Sequence, residues 1–304
     1  MKKETLIILL VRPNPCSYFL KALKKQKNYF IVIFNYRRID NWGLGLGPER
    51  ECIMPGVAGR VALVTGAGRG IGRATAQLLA SRDASVMAVA RSENELLTLG
   101  LDYVVADLGT PEGCSLAVNE TNDRLGPVAI LVCNHGIGSA HERVIWKQDP
   151  ALWRETMQIN LDGPYFLSRL VVKDMIERKY GRLVFTSSTA GQVAEYASSA
   201  YNSSKHGLLG LMRSVAQDAG PHGVTSNAVL PGWVRTQMAE ASAKAEAEQR
   251  GVTPDDVWAE RAALYPAGRV VTPEEVAEVI AFLASEESSG VNGEAITVAL
   301  GSIW

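Results

Sequence analysis

The sequence has no CxxC pair and no cluster of cysteine with histidine. Its four cysteines, Cys16, Cys52, Cys114 and Cys133, are scattered along 304 residues, which argues against both a disulfide framework and a zinc site. His135, His141, His206 and His222 also lack metal-ligand spacing. No metal is expected, and a reducing cytoplasm suits the cysteine usage. No apolar run approaches the ~20 residues that span a bilayer. A strong excess of one charge is missing as well. The formal net charge is −1, so nothing draws the whole chain toward nucleic acid or an anionic membrane. With 47% hydrophobic and 21% charged residues, the composition is that of an ordinary globular protein.

The charge that is present is unevenly placed. Residues 1–53 carry ten Lys/Arg against four Asp/Glu, a net +6, and the remainder carries 21 against 28, a net −7. The opening MKKETLIILLV imitates a signal peptide, but its apolar run is short and RPNPCS offers no small-x-small cleavage site. Three readings stand: a targeting or docking extension, a disordered basic arm, or a start codon placed too early. We favour the last, because Met54 opens MPGVAGRVALVTG, where a folded domain begins. Residues 1–53 are therefore expected to be an N-terminal extension and 54–304 one domain.

Within 54–304, short apolar runs alternate with helix-period stretches. The runs are VALV (61–64), VMAVA (86–90), YVVA (103–106), AILV (129–132), LVFT (183–186), TSNAVL (225–230) and AITVAL (295–300). Continuous apolar strands separated by helices imply right-handed parallel crossovers. The expected fold is a doubly wound α/β sheet of about seven strands. AEASAKAEAEQRG (239–251) is expected to be a helix, either covering a site or simply solvated.

Directly after the first of these strands comes TGAGRGIG, residues 65–72. Gly66, Gly70 and Gly72 permit a tight turn, close approach of backbone to a pyrophosphate, and close helix packing. The phosphates would sit at the N-terminus of the IGRATAQLLA helix, where free N–H groups and the dipole favour anions. The second strand runs into VARSEN, with Arg91 and Ser92 where an acid would suit the ribose diol of NAD. Arg69 in the loop adds a second cation. Two arginines at that corner favour NADP, with NAD the less favoured alternative.

In AYNSSKHG, Tyr201 and Lys205 are four residues apart and therefore neighbours on one helix face. A fixed cation there is expected to lower the phenol's pKa and suit it to proton transfer. Thirteen residues before Tyr201, LVFTSSTAG ends a strand with Ser187 and Ser188. The ordered set TGAGRGIG, CNHG, an Asn, a Ser and YxxxK resembles the short-chain dehydrogenase/reductase family over essentially all of residues 57–304. The resemblance implies a Rossmann fold, and a catalytic tetrad of Asn160, Ser188, Tyr201 and Lys205. Ser187 is the rival for Ser188, but the thirteen-residue spacing matches the family. Asn134 and Gly136 in CNHG, and Asp107 with Leu108 in ADL, match cofactor contacts, as do Gly68, Arg69 and Ile71 in the loop. Tyr201 and Lys205 would also hold the cofactor. Pro231, Gly232, Val234 and Thr236 in PGWVRT match the segment that closes over the nicotinamide. Asn160, kinking its helix before Gly163-Pro164, would position a water linking Lys205 to solvent.

Two departures from the family pattern stand out. Cys133 and His135 flank Asn134 where the family usually writes NNAG, and the chain ends ITVALGSIW instead of in an acidic-Gly-Gly turn. His135 could touch cofactor or substrate, or be a satisfied loop histidine; Trp304 could pack into an interface or pocket. The resemblance implies an NADP-dependent interconversion of ketone and secondary alcohol, first of all on a 3-oxoacyl or polyketide-type ketone. Small hydroxy acids, sugars and steroid alcohols remain open. A dehydratase or epimerase, and a non-catalytic dinucleotide sensor, are the rival functions, and the complete tetrad argues against both. Region 238–265, with Trp258 and Tyr265, is expected to line the substrate side. The family's mode of assembly implies a homotetramer through two long helices, here about 151–178 and 199–219. No basic patch with interleaved aromatics points to nucleic acid within 54–304.

Overall fold

Each apolar run forms a strand because β-branched and aliphatic side chains fill both faces of a pleated sheet that helices cover. In the computed structural model, residues 5–10, 29–34, 56–139 and 141–302 are described. The chain divides into two units, Met1–Ile53 and Met54–Trp304. In the first unit, β1 (Thr5–Leu10) and β2 (Tyr29–Phe34) pair in parallel, Thr5 opposite Tyr29 and Leu10 opposite Phe34. The other residues of 1–53, on which the extension and early-start readings turn, lie outside the described residues, as does Trp304.

The second unit holds a seven-stranded sheet: β3 (Val61–Thr65), β4 (Ser85–Ala90), β5 (Asp102–Val105), β6 (Ile130–Cys133), β7 (Gly181–Thr186), β8 (Val224–Pro231) and β9 (Ala295–Val298). Its order is β5-β4-β3-β6-β7-β8-β9, and every pair is parallel. This is the doubly wound Rossmann arrangement that the runs predict. The order reverses direction between β3 and β6, and ligands bind outside the carboxyl ends of strands at such a switch point.

Successive strand residues point to opposite faces, and the core divides accordingly. On one face Leu63, Met87 and Leu131 pack with Leu167, Met175, Leu208 and Met212. These come from α5 (Gly163–Glu177) and α6 (Ser199–Ala219). On the other, Val64 and Ile130 pack with Leu79 of α1 (Gly70–Ser81) and Ile280 of α9 (Pro273–Leu283). Between these lie α2 (Glu93–Leu97), α3 (Pro111–Arg124), α4 (Pro150–Met157), α7 (Gln237–Arg250) and α8 (Pro254–Ala263). The long helix expected over 151–178 is broken: a π-helical turn, Gln158–Asp162, separates α4 from α5. The turn carries Asn160 at its middle, so the expected kink is an inserted wide turn. The helix expected at 199–219 matches α6 residue for residue.

Candidate active site

The carboxyl ends of β3 to β8 open into a cleft of about 480 Å³. One end, where the phosphates are expected, is built by the glycine loop. Gly66 and Gly70 have φ of +63° and +54°, a region that side chains other than glycine's rarely tolerate. A Cβ on Gly72 would press into the Gly66 carbonyl oxygen. Gly72 itself therefore lies beneath the loop and does not line the cleft. Arg69 is the N-cap of α1 but supplies no side-chain cap, and the first turn has no acid. The amides at Gly70 and Ile71 are left open to an anion where they border the cleft. Asn134 braces this turn, donating its amide to Thr65 Oγ1 (2.9 Å) and its side-chain Nδ2 to the Thr65 and Gly66 carbonyls (3.3 and 3.4 Å).

At the corner where a ribose is expected, Arg91 and Ser92 are exposed at the end of β4 and border the cleft. Arg69 lies 3.5 Å from Glu95 and donates to Gln237 at 3.3 Å. Glu95 borders the cleft too. It was not anticipated, because it sits four residues past Arg91, beyond the strand end where a ribose-binding acid is sought. Next to this corner Asp107 accepts the Gly109 amide at 3.0 Å, beside buried Leu108.

The other end gathers Ser188, Tyr201 and Lys205. Ser188 follows β7 and accepts the Ala190 amide at 3.1 Å. Ser187 borders the cleft too, but its hydroxyl is engaged, donating to the Lys205 carbonyl at 3.1 Å. Lys205, 5% exposed, donates from Nζ to the Thr186 carbonyl at 2.9 Å, and Nζ lies 5.6 Å from the centroid of the Tyr201 ring. The expected lowering of the phenol's pKa is not met. Burial pushes Tyr201 up to about 12, with the Ser188 hydroxyl pulling down against it and Glu195 and Glu142 pushing further up. Burial likewise brings Lys205 down to about 8. Desolvation outweighs the i,i+4 attraction even though only the lysine is fully buried and the tyrosine is half-buried at the cleft.

Asn160 is 1% exposed and does not border the cleft. Its Oδ1 accepts the Ile137 amide (2.8 Å), and its Nδ2 donates to the Ile137 carbonyl (3.0 Å) and Ser204 Oγ (3.1 Å). The side chain is thus spent on holding the CNHG loop against α6. A bridging water would have to donate to the second lone pair of Oδ1 or use another atom. A Cβ on Gly136 would lie 3.1 Å from Asn160 Oδ1 and 3.7 Å from Lys205 Nζ, which places Gly136 between them. His135 bonds Thr65 Oγ1 through Nδ1 at 2.8 Å and borders the cleft. Burial first, then the Lys205 charge, lowers its pKa to about 3, so it is a neutral loop histidine.

Pro231 ends β8, Gly232 donates to the Val298 carbonyl at 3.1 Å, and Val234 pairs with Val271. Thr236 caps α7 by accepting the Ala239 amide. Its Cγ2 lies 3.1 Å from where a Cβ on Gly70 would be, so this segment closes back over the phosphate loop. All four border the cleft.

A second expectation is overturned: Trp258 and Tyr265 do not line the cleft. Trp258 packs with Ala243 and Ala247 of α7, and Tyr265 accepts the Trp233 amide at 2.6 Å. The apolar face of α7 and the buried turn needed those rings as support. The lining residues are Trp233, Met238 and Ser242 instead, with Glu195 opposite. The 239–251 helix is therefore a site cover, its Met238 end on the cleft and its alanine face on α8 (Pro254–Ala263).

A nicotinamide dinucleotide fits these residues: open amides at a helix start for the pyrophosphate, and a buried ammonium and phenol at the far end. The family model described as enoyl-(acyl carrier protein) reductase matches residues 66–302. The 3-oxoacyl-[acyl-carrier-protein] reductase FabG of Vibrio cholerae is 34% identical over 247 residues, 79% of this chain and 96% of the relative. Among solved structures, levodione reductase superposes with a TM-score of 0.76 at 30% identity, covering 80% of this chain and 97% of that one. A variant of actinorhodin polyketide ketoreductase with NADPH gives 0.76 at 32%, covering 80% and 96%. With its glycine loop, Tyr201 and Lys205 placed on one cleft of a seven-stranded parallel sheet, the chain belongs to the short-chain dehydrogenase/reductase family, as an NAD(P)-dependent oxidoreductase of the ketoreductase type.

Proposed function

We propose that this protein is an NADP-dependent oxidoreductase that interconverts a ketone and a secondary alcohol, foremost a 3-oxoacyl or polyketide-type ketone. The observation that carries the reading is the meeting of Ser188, Tyr201 and Lys205 at one end of a cleft whose other end is the glycine loop. The names of the relatives, a 3-oxoacyl reductase and a polyketide ketoreductase, support the substrate class. Arg91 and Arg69 support NADP. Glu95 beside Arg69 favours a second reading, NAD with a small hydroxy acid, sugar or steroid alcohol.

The bound nicotinamide supplies or accepts the hydride. Ser188 donates a hydrogen bond to the carbonyl oxygen and stabilises the charge that develops there. Tyr201, protonated at neutral pH with its pKa at about 12, gives its phenolic proton to that oxygen in reduction and takes it back in oxidation. Lys205, still charged at neutral pH with a pKa of about 8, holds the ribose hydroxyls and stabilises the phenolate as it forms. Asn160 keeps the Ile137 backbone fixed beside them. We further propose that residues 54–304 carry the activity, in a cytoplasmic homotetramer assembled through α4, α5 and α6, where Trp153 and Tyr165 are exposed.

A panel of ketones and alcohols with NADPH/NADP and NADH/NAD, followed by absorbance, tests the reading. Tyr201→Phe is expected to lower turnover by about 10²–10⁴-fold with cofactor binding intact. Full activity in that variant refutes the assignment.

A further inference from the structure

The first turn of α6 holds Tyr201, and its cap comes from elsewhere in the chain. Ser198, the N-cap residue, makes no capping bond; its hydroxyl donates to the Tyr196 carbonyl at 3.1 Å instead. No acidic residue lies in the first turn. The amides of Ala200 and Tyr201 would therefore be unpaired donors in a buried place. Glu142 takes both: its Oε2 accepts from Ala200 at 2.8 Å and its Oε1 from Tyr201 at 2.7 Å.

Glu142 is 5% exposed and has no ion-pair partner among the described residues. It does not border the cleft, whereas Gly136, Ile137, Gly138 and Ser139, just upstream in the same loop, do. The loop is held at one end by Asn160 on Ile137 and ends on the backbone of the reacting residue. A carboxylate bonded to two successive amides fixes position and direction together, as a single-point cap does not. Burying a carboxylate without a cation is costly and raises the pKa of Glu142, and the two amide bonds pull against that shift.

We propose that Glu142 is a positioning residue for the reaction, its carboxylate clamping the Ala200 and Tyr201 amides so that the phenol stands at the carbonyl site. The proposal rests on the reading of Tyr201 as proton donor. Glu142 touches no reacting atom and acts through the backbone of Tyr201. Its charge has a second, smaller effect: with Glu195, from the loop after β7, it pushes the phenol's pKa up, against Ser188. Lys205 is the neighbouring cation on α6.

The test compares Glu142→Ala and Glu142→Gln with the parent full-length chain. A displacement near 1 Å at a reacting group costs about 10²-fold in rate. Glu142→Ala is expected to lose about that much in kcat, with KM and cofactor affinity little changed. Hydrogen exchange at the Ala200 and Tyr201 amides should speed up, a readout independent of activity. Glu142→Gln keeps one acceptor oxygen, so it should recover part of kcat and part of the amide protection. If Glu142→Ala does not fold, Glu142→Gln carries the same comparison.

A variant with parental kcat and parental amide protection overturns the proposal. Should Tyr201→Phe prove inactive while both Glu142 variants are unaffected, the proposal alone fails. Should Tyr201→Phe retain turnover, the proton-donor reading fails and takes this proposal with it.

Discussion

Lys205 Nζ lies 5.6 Å from the centroid of the Tyr201 ring, yet its hydrogen bond goes to the Thr186 carbonyl at 2.9 Å. The pair is arranged for attraction and dominated by burial. The phenol is held near 12 and the ammonium near 8, so at neutral pH one is neutral and the other charged. The group that changes state first as pH rises is the lysine. In the reductive direction, kcat/KM, which reports the free enzyme, is expected to fall as pH rises through about 8. Lys205→Arg should retain some activity and move that fall to much higher pH, since arginine stays charged. A profile flat to pH values well above 8 would show that the lysine charge does not matter.

The same shift makes a statement about stability. Lys205 has its folded-state pKa below the ordinary 10.5, so the unfolded chain binds the proton more tightly. The buried cation therefore opposes folding at neutral pH, and the penalty fades as pH rises from about 8 toward 10.5. The gap corresponds to roughly 3 kcal/mol, set against about 1 kcal/mol net for the bond to Thr186. Lys205→Met should be inactive yet melt several degrees higher without cofactor, at about 2–4 °C per kcal/mol. A lower melting temperature would mean the lysine stabilises the empty fold.

Cofactor choice turns on three charges at one corner. Arg69 is engaged by Glu95 and Gln237, which leaves Arg91, exposed beside the cleft, as the residue to meet a 2′-phosphate. A hydrogen bond to a charged group contributes about 1.5–3 kcal/mol. Arg91→Ala should thus lower kcat/KM for NADPH by about tenfold or more while leaving NADH nearly unchanged. Glu95→Gln should act the other way, releasing Arg69 and removing a repulsive carboxylate. Parallel titrations with both cofactors would decide it; equal losses for NADH and NADPH in Arg91→Ala would sink the assignment.

Much of the fold was legible because it rests on local signals. The apolar runs at 61–64, 183–186 and 225–230 became β3, β7 and β8 with ends within two residues. The glycine loop announced a turn that positive φ at Gly66 and Gly70 requires. What escaped was set by solvent exclusion and by long-range contact. Spacing brings Tyr201 and Lys205 together but carries no measure of their burial, so it points the phenol's shift the wrong way. Glu142 caps a helix 58 residues further on, and no local pattern signals such a partner. Trp258 and Tyr265 fall in the segment expected on the substrate side, but packing buries both beneath it as support.

That support is itself open to test. Tyr265 is 3% exposed, and its hydroxyl oxygen accepts the Trp233 amide at 2.6 Å, under the turn that Gly232 begins. Trp233 in turn borders the cleft, with the guanidinium of Arg261 stacked 3.6 Å from its ring centroid. Tyr265→Phe keeps the ring and deletes only the acceptor. The Trp233 amide is then left without its partner, at a cost of about 1–3 kcal/mol. The turn is expected to shift to find another acceptor, moving Trp233 on the substrate side while Tyr201 and Lys205 stay in place. The variant should therefore melt a few degrees lower and bind its ketone more weakly, so that KM rises with kcat largely kept. Affinity for the cofactor's adenosine end, expected at the part of the cleft that Gly68, Arg91 and Asp107 border, should not change. Loss of kcat at constant KM would instead place Tyr265 in the chemical step.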